Sequence, residues 1–170
     1  MPITRLNHAV LYVRDVARSQ AFYETVLGFR TVMSAPGQAA FLQASGSAND
    51  HDLGLFQIGS GAGPSDAGRS TVGLYHLAWE VDTLAELHRI AGELSRSAAL
   101  VGASDHSTTK ALYARDPDGI EFEVSWLVPA DRLTETELSG RSRVRPLDLE
   151  AELARYGADT RGGVGVSHGV

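Results

Sequence analysis

The sequence predicts an α+β fold made of two tandem β-α-β-β-β modules, which form a curved mixed sheet with flanking helices, followed by a helical C-terminal tail. Two observations support this prediction. The same order of apolar segments starts near residue 5 and again near residue 72. In addition, Leu6-x-His8 recurs 68 positions later as Leu74-x-His76, and an aspartate that can cap a helix follows in each copy. Repetition of this kind indicates a duplicated structural unit.

The first module covers about residues 4–58. Alternating apolar residues predict its strands, and a 3.6-residue repeat predicts the helix between the first two strands. Asp15 is the expected N-cap of that helix, because its carboxylate can accept a hydrogen bond from the first turn. Gly28 is expected just after the last turn, where a left-handed conformation favours glycine. The predicted elements are a strand at 5–14, a helix at Val16–Leu27, and strands at 29–33, Ala39–Gln43 and 53–58.

The second module covers about residues 72–127 and follows a Gly- and Ser-rich linker at 59–71. Asp82 is the expected N-cap of its helix. The sequence Asp-Pro-Asp-Gly at 116–119 predicts a tight turn, because Pro presets φ and Gly accepts a positive φ. The predicted elements are a strand at 73–81, a helix at 83–94, a short strand at 100–101, and strands at 110–115 and 120–126.

The two modules are expected to form one domain, residues 1–128, followed by a C-terminal extension at 129–170. A proline near the first turn and a glycine just past the end predict a short helix in this extension. The Gly-rich end of the chain, which contains His168, is predicted to be disordered. The residues that define the helix are Pro146, the segment 147–156 and Gly157.

Composition excludes several kinds of site and ligand. The 170 residues contain no cysteine, so disulfides and thiolate metal ligands are ruled out. A formal net charge of −6 argues against binding to a nucleic-acid backbone, which needs clustered Lys and Arg. The sequence lacks the roughly 18 consecutive apolar residues of a membrane helix and the pattern of a signal peptide. A cytoplasmic protein that binds neither nucleic acid nor membrane is therefore expected.

The repeated histidines, His8 and His76, indicate a shared metal site. Approximate twofold symmetry between the modules would bring equivalent side chains together, and neutral imidazole is the commonest protein metal ligand. In the last strand, alternation puts Glu121 and Glu123 on one face and apolar residues on the other. Two inward-facing acids would be costly if buried and unpaired, so a cation would compensate at least one of them. This reasoning leaves open which acid is the ligand.

Three segments resemble the vicinal oxygen chelate superfamily, which contains glyoxalases, bleomycin- and fosfomycin-resistance proteins and type I extradiol dioxygenases. In that superfamily the acidic ligand lies seven positions after the first Asp of the Asp-Pro-Asp-Gly turn, which corresponds to Glu123 here. The resemblance therefore implies His8, His76 and Glu123 as metal ligands. The segments are LNHAVLYVRDVARSQAFYETVLGF at 6–29, LYHLAWEVD at 74–82 and ALYARDPDGIEFEV at 111–124.

Within the superfamily, the sequence looks most similar to single-domain extradiol dioxygenases. That resemblance implies a small catechol-type aromatic substrate, O₂, and a homodimer. It also implies catalytic roles for His51, His106 and Tyr113, whereas ordinary structural readings would make them two loop histidines and a strand-packing tyrosine. Two histidines and one carboxylate leave up to three adjacent coordination positions open, which suits Fe(II); Mn(II), Ni(II), Co(II) and Zn(II) accept the same ligands.

Two alternatives remain within the superfamily. A glyoxalase or related isomerase or lyase would need a fourth ligand from the strand at 53–58, which offers Gln57 but no acid, with Asp52 at its edge. A bleomycin-resistance-like protein would bind a small molecule without catalysis or metal. The presence of two repeated histidines and an acid argues against this second alternative.

Overall fold

The computed structural model describes residues 2–3 and 5–163, which fall into two compact units. The first unit runs up to Ser65 and includes the turn at Asp116–Gly119, and the second contains Asp66–Arg115 and the residues from Ile120 onward. Each unit contains strands and a helix in the order β-α-β-β-β, so the predicted duplication and the α+β class are confirmed. No helix among the described residues is both long and apolar enough to span a membrane.

The first unit contains a four-stranded mixed sheet. Its strands lie in the order β1-β4-β3-β2, with β1 parallel to β4 and the other pairs antiparallel. A bulge interrupts the pairing of β2 with β3 between Thr31 and Met33. The elements are β1 (Ala9–Val13), α1 (Val16–Leu27), β2 (Arg30–Ala35), β3 (Ala39–Gln43) and β4 (Leu53–Gln57).

Helix α1 begins and ends as the sequence predicts. The Asp15 side chain accepts a hydrogen bond of 3.1 Å from the Arg18 amide, and Gly28 follows the last turn with a φ of 73°. Both features provide hydrogen-bond partners for backbone amides and carbonyls that a helix leaves unpaired at its ends. The helix buries a narrow stripe formed by Val16, Ser19, Tyr23 and Val26, whereas Phe22 and Leu27, on the edges of this stripe, are only half-buried.

The Asp-Pro-Asp-Gly turn anchors the start of α1. Asp118 accepts hydrogen bonds from the Arg14 amide at 2.9 Å and from the Arg14 guanidinium at 3.0 Å, and it pairs with Arg18 at 2.5 Å. The Tyr23 hydroxyl donates to Asp116 at 3.2 Å. Burial, together with the negative charge of Asp116, raises the pKa of Tyr23 well above its ordinary value, so this phenol stays protonated. The turn thus has a structural role that its sequence alone does not reveal.

The second unit contains a five-stranded mixed sheet. The strand order is β5-β8-β7-β6-β9, with β5 parallel to β8 and the remaining pairs antiparallel. A bulge lies in β6 between Leu100 and Gly102, at the place in the module where β2 has its own. The elements of this module are β5 (Leu77–Glu80), α2 (Leu84–Arg96), β6 (Leu100–Asp105), β7 (Thr109–Arg115) and β8 (Glu121–Leu127).

Two predictions about this unit need correction. The N-cap of α2 is Thr83, whose hydroxyl accepts a hydrogen bond of 3.3 Å from the Glu86 amide, whereas the predicted cap, Asp82, lies one residue outside and faces Arg161 at 4.0 Å. Strand β6 is six residues long, not two, because pairing with β7 extends it past Gly102 into polar residues.

The C-terminal extension contains more structure than the sequence predicts. Besides the expected helix, it forms a 3₁₀ turn, a second helix and a two-residue strand. Pro146 belongs to that strand and pairs with Ser104, so the helix begins later, after the N-cap Asp148. Residues 164–170, which carry the predicted disorder and His168, lie outside the described residues. The elements are the 3₁₀ turn (Ala130–Arg132), α3 (Glu135–Gly140), β9 (Arg145–Pro146) and α4 (Leu149–Tyr156).

A buried carboxylate, Glu137, joins α3 to α4. It accepts hydrogen bonds from the amide and hydroxyl of Thr134 and pairs with Arg155, and its side chain is 3% exposed. Burial acts to raise the pKa of Glu137, but the hydrogen bonds from Thr134 and Arg155 outweigh burial and lower the pKa to about 2. The ionised form therefore stabilises the folded extension.

Replacing Glu137 with Gln is expected to lower the free energy of unfolding at pH 7 by about 1–2 kcal/mol, because one capping contact and one ion pair are lost. Since the folded-state pKa is depressed, the stabilisation is complete above the ordinary value of 4.5 and is lost as the pH falls toward 2. The free energy of unfolding, measured with urea across this pH range, should therefore fall less steeply with decreasing pH in the variant than in the unmodified protein. Glu135→Gln, in the exposed first turn of α3, is the control; equal behaviour of the two variants would contradict the prediction.

Candidate active site

Of the three predicted metal ligands, His8 and His76 occupy equivalent positions in the two modules. Glu123 lies on the strand next to His76 in the second module. His8 directly precedes β1 in the first unit and is exposed, and His76 directly precedes β5 in the second unit. Glu123 lies in β8, next to β5 in the sheet, with its side chain 14% exposed. The sheet of the second unit thus brings His76 and Glu123 together.

The contact between His76 and Glu123 is an ion-pair distance that is also compatible with two ligands of one ion. The Nε2 atom of His76 lies 3.4 Å from Oε2 of Glu123. Two donors that each lie about 2.1 Å from a metal are separated by roughly 3.0 Å at a right angle and roughly 3.4 Å at a tetrahedral angle. The other ring nitrogen, Nδ1 of His76, is buried and has no hydrogen-bond partner among the described residues. Glu123 is therefore the polar partner of this imidazole, on its Nε2 side.

The two candidate acids in β8 lie on the same face but have different partners. The apolar residues Phe122, Val124 and Trp126 are buried, as predicted. Glu121 lies 3.8 Å from the guanidinium of Arg115, whereas Glu123 faces His76. An acid with an arginine partner needs no cation, so this difference favours Glu123 as the ligand.

Tyr113 and His106 extend the same cluster. Tyr113 pairs with Glu123 across β7 and β8, and its hydroxyl lies 2.9 Å from Nε2 of His106. Its ring centre lies 6.0 Å from that of His76. Burial, followed by the charge of Glu123 and a hydrogen bond to it, raises the pKa of Tyr113. At neutral pH Tyr113 is therefore a neutral phenol that can donate a hydrogen bond.

In the first unit, His8 lies beside His51. Their ring centres are 4.5 Å apart, because the parallel pairing of β1 with β4 aligns the starts of the two strands. The ring centres of His51 and Phe41 are 5.1 Å apart in a T-shaped arrangement, and Nδ1 of His51 lies 3.1 Å from Asp50. Taken by itself, neither unit holds three or more His, Asp or Glu side chains that could ligate one ion within the described residues.

The first unit has no counterpart of Glu123. His8 and His76 precede the strand pairs that begin with Ala9↔Leu53 and Leu77↔Phe122, so Gly54 occupies the position of Glu123. A Cβ atom on Gly54 would meet the Val10 side chain at 3.4 Å and Phe41 at 3.7 Å. The first module therefore offers no carboxylate at the position that Glu123 occupies in the second.

The two polar residues near β4 both have structural partners. Gln57 accepts a hydrogen bond of 3.0 Å from the Val16 amide at the start of α1. Asp52 accepts from the Ala44 amide at 2.9 Å and from Ser47 at 2.8 Å, and so closes the loop before β4. Neither residue is free to act as a fourth ligand without giving up these contacts.

The part of the chain that forms this fold and this cluster matches a known family. The model of the Glyoxalase/Bleomycin resistance protein/Dioxygenase superfamily matches residues 5–124. The chain belongs to this superfamily. The resemblance drawn from the three sequence segments is thereby confirmed, and members of this superfamily typically bind a divalent metal ion.

Three proteins illustrate the superfamily's relation to this chain. Catechol-2,3-dioxygenase of Bacillus subtilis (strain 168) is 30% identical over 121 residues, which are 71% of this chain but 41% of that protein; the chain thus spans about two-fifths of that relative. Virulence protein STM3117 of Salmonella typhimurium (strain LT2) is 28% identical over 135 residues, covering 75% of this chain and 88% of that protein. The crystal structure of a glyoxylase/bleomycin resistance protein/dioxygenase domain from Frankia sp. EAN1pec aligns with a TM-score of 0.64 at 20% identity, over 81% of this chain and 99% of that chain, and shows the shared fold.

Proposed function

We propose that the protein is a metal-dependent dioxygenase that cleaves the ring of a catechol-type substrate with O₂. The observation that carries the proposal is the cluster in the second unit, where His76 faces Glu123 and Tyr113 joins Glu123 to His106. A ring-cleaving enzyme needs both parts of this cluster, a metal ligand pair and a proton-transferring pair beside it. The similarity to catechol-2,3-dioxygenase gives independent support.

The proposed ligands of the metal are His8, His76 and Glu123, and Fe(II) is the proposed ion. Two imidazoles and one carboxylate suit it, and the 3.4 Å separation of His76 and Glu123 is compatible with a shared ion. When bound, the ion would supply Lewis acidity that lowers the pKa of a catechol hydroxyl, and a common point of attachment for both reactants. His8 is included because it holds the same place in the first module as His76 holds in the second.

The glycine at position 54 supports a dioxygenase over a glyoxalase. A four-ligand site would need an acid in the first module at the position of Glu123, and that position is Gly54. The neighbouring candidates, Gln57 and Asp52, cap α1 and the loop before β4. A set of three ligands leaves more coordination positions for a bidentate substrate and for O₂.

Tyr113 and His106 are proposed to hold and move a proton near the substrate oxygens. The raised pKa of Tyr113 keeps its hydroxyl protonated, so it can donate to a substrate oxygen. The 2.9 Å contact allows Nε2 of His106 to exchange a proton with that hydroxyl. In this scheme the Tyr113 hydroxyl passes the proton between the substrate oxygen and His106, which supplies or receives it.

His51 is the proposed base in the first module. With Nδ1 directed at Asp50 at 3.1 Å, the tautomer that carries its proton on Nδ1 is favoured. In that tautomer Nε2 can accept a proton from a substrate hydroxyl. The position of His51 beside His8 keeps this acceptor next to a proposed ligand.

The test is elemental analysis of the purified protein, followed by an oxygen-electrode assay of anaerobically Fe(II)-loaded protein with a panel of catechols. We expect bound divalent metal, O₂ uptake, and a yellow ring-cleavage product in matching amounts. No O₂ uptake across the panel would refute the proposal. Isomerisation of a thiol hemiacetal with Ni(II) or Zn(II) would establish a glyoxalase instead, and a protein that binds a small molecule but no metal would belong with the bleomycin-resistance proteins.

A further inference from the structure

The single lysine of the chain, Lys110, is buried in the second unit. Its side chain is 1% exposed and lies on β7, three residues before Tyr113. Its Nζ atom contacts Asp105 at 2.6 Å and Glu152 at 3.2 Å. A buried ammonium group is tolerated only when it is paired; Asp105 accepts its hydrogen bond, and the buried carboxylate oxygen of Glu152 adds a second ion-pair contact that balances the charge.

These two acids come from functionally distinct parts of the unit. Asp105 ends β6 and directly precedes His106. Glu152 lies in α4, which belongs to the C-terminal extension and lies beyond the residues that the superfamily model matches. Lys110 therefore connects the extension to the segment that carries His106.

Two more elements of the extension contact the same segment. Strand β9 pairs with β6, with Pro146 opposite Ser104 and Arg145 opposite Asp105. Gly140, the last residue of α3, lies so close to the Ser107 side chain that an added Cβ would overlap the Ser107 hydroxyl. Elements α3, β9 and α4 thus all contact residues 104–107 or their direct partner Lys110.

The segment itself has a conformation that needs support. Ser107 is buried and has a φ of 69°, which is unfavourable for a residue with a side chain. Asp105 accepts a hydrogen bond of 2.7 Å from the Ser107 amide, and the His106 amide donates to Thr109 at 2.9 Å. Strained backbone of this kind persists only where the surroundings determine it.

We infer that the C-terminal extension positions His106 against Tyr113, with Glu152 acting through Lys110 and Asp105 as its positioning residue. The functional meaning of this arrangement rests on the proposed role of His106 in ring cleavage. The superfamily fold supplies Tyr113, and the extension holds in place the histidine that exchanges a proton with it. Glu152 is thus a determinant of turnover that touches neither substrate nor metal.

The test compares Glu152→Gln with Glu150→Gln in the 170-residue chain. Glu150 lies in the same helix and pairs at the surface with His88, so it is a matched control. In metal-free protein, hydrogen exchange followed by NMR should be faster at the His106 and Thr108 amides by at least about tenfold in Glu152→Gln and should be unchanged in Glu150→Gln. In Fe(II)-loaded protein, Glu152→Gln should lower kcat by about tenfold and leave KM within about twofold.

A second variant tests the same inference without changing a charge. Gly140→Ala should crowd Ser107 and accelerate exchange at the same two amides. Adding Ser107→Gly should restore slow exchange, because it removes both the overlap and the strained side chain.

The outcomes separate the two proposals. Exchange at residues 106 and 108 that is the same in Glu152→Gln and Glu150→Gln would overturn the positioning role. If exchange rises as expected but even the unmodified protein cleaves no catechol, the positioning role stands and the proposed function fails.

Discussion

Replacement of Glu123 by Gln is expected to lower the affinity for the divalent metal by more than about 100-fold and to abolish ring cleavage. Loss of a residue that merely orients a ligand already costs 10–100-fold in affinity, and here the only proposed anionic ligand becomes a neutral amide of the same shape. The change leaves the buried neighbours Phe122 and Val124 untouched, so the fold should be retained. Metal content after dialysis against a weak chelator and O₂ uptake with catechol measure the two effects.

Glu121→Gln is the matched control for this prediction. Glu121 lies on the same face of β8 and pairs with Arg115. It should keep its metal and most of its activity. Equal metal loss in both variants would contradict the assignment of Glu123, and metal loss in Glu121→Gln alone would reverse it.

Tyr113→Phe is expected to lower kcat by about 100-fold with little change in KM. The variant keeps the ring packing against His76 and removes only the hydroxyl that contacts His106. Loss of a group that transfers a proton typically costs 10²–10⁴ in rate. Steady-state kinetics with the best catechol of the panel, at constant Fe(II) loading, measure this effect.

The partnership of Tyr113 with His106 makes the prediction sharper. If the two act as one pair, His106→Gln should cost about as much as Tyr113→Phe, and the double variant should be little worse than either. His88→Gln, at a surface histidine, serves as the control and should keep full activity. Multiplicative losses in the double variant would show that the two residues act separately.

Much of the fold could be predicted because its signals are local. The bounds of α1 follow from Asp15, Gly28 and the apolar repeat between them. The alternation of apolar and acidic residues in β8 is enough to distinguish its buried face from the face of Glu121 and Glu123. The duplication predicted the equivalence of His8 and His76, but alternation left Glu121 and Glu123 open, and only the resemblance to the superfamily selected Glu123, which faces His76.

The remainder depends on contacts between residues distant in sequence. Thr83 and Asp82 are both good caps, and the extended backbone at Thr83 decides between them. The polar end of β6 becomes a strand because β7 and β9 pair with it. Of the two acids that face the buried Lys110, Asp105 lies nearby in sequence but Glu152 lies 42 positions away, and no local sequence pattern predicts that second contact.

The two modules differ in the sheet edge that is formed by β2 in the first unit and by β9, next to β6, in the second. In the second unit, β9 covers β6 with two residues and ends the sheet at Pro146, which has no amide hydrogen to offer a further strand. In the first unit, β2 is the edge strand opposite β1 and carries a single charged residue, Arg30. In β2 the bulge between Thr31 and Met33 distorts the backbone, which makes regular pairing with a strand of another chain less favourable. Protection from edge-to-edge aggregation thus rests on an added segment in one copy and on backbone irregularity in the other.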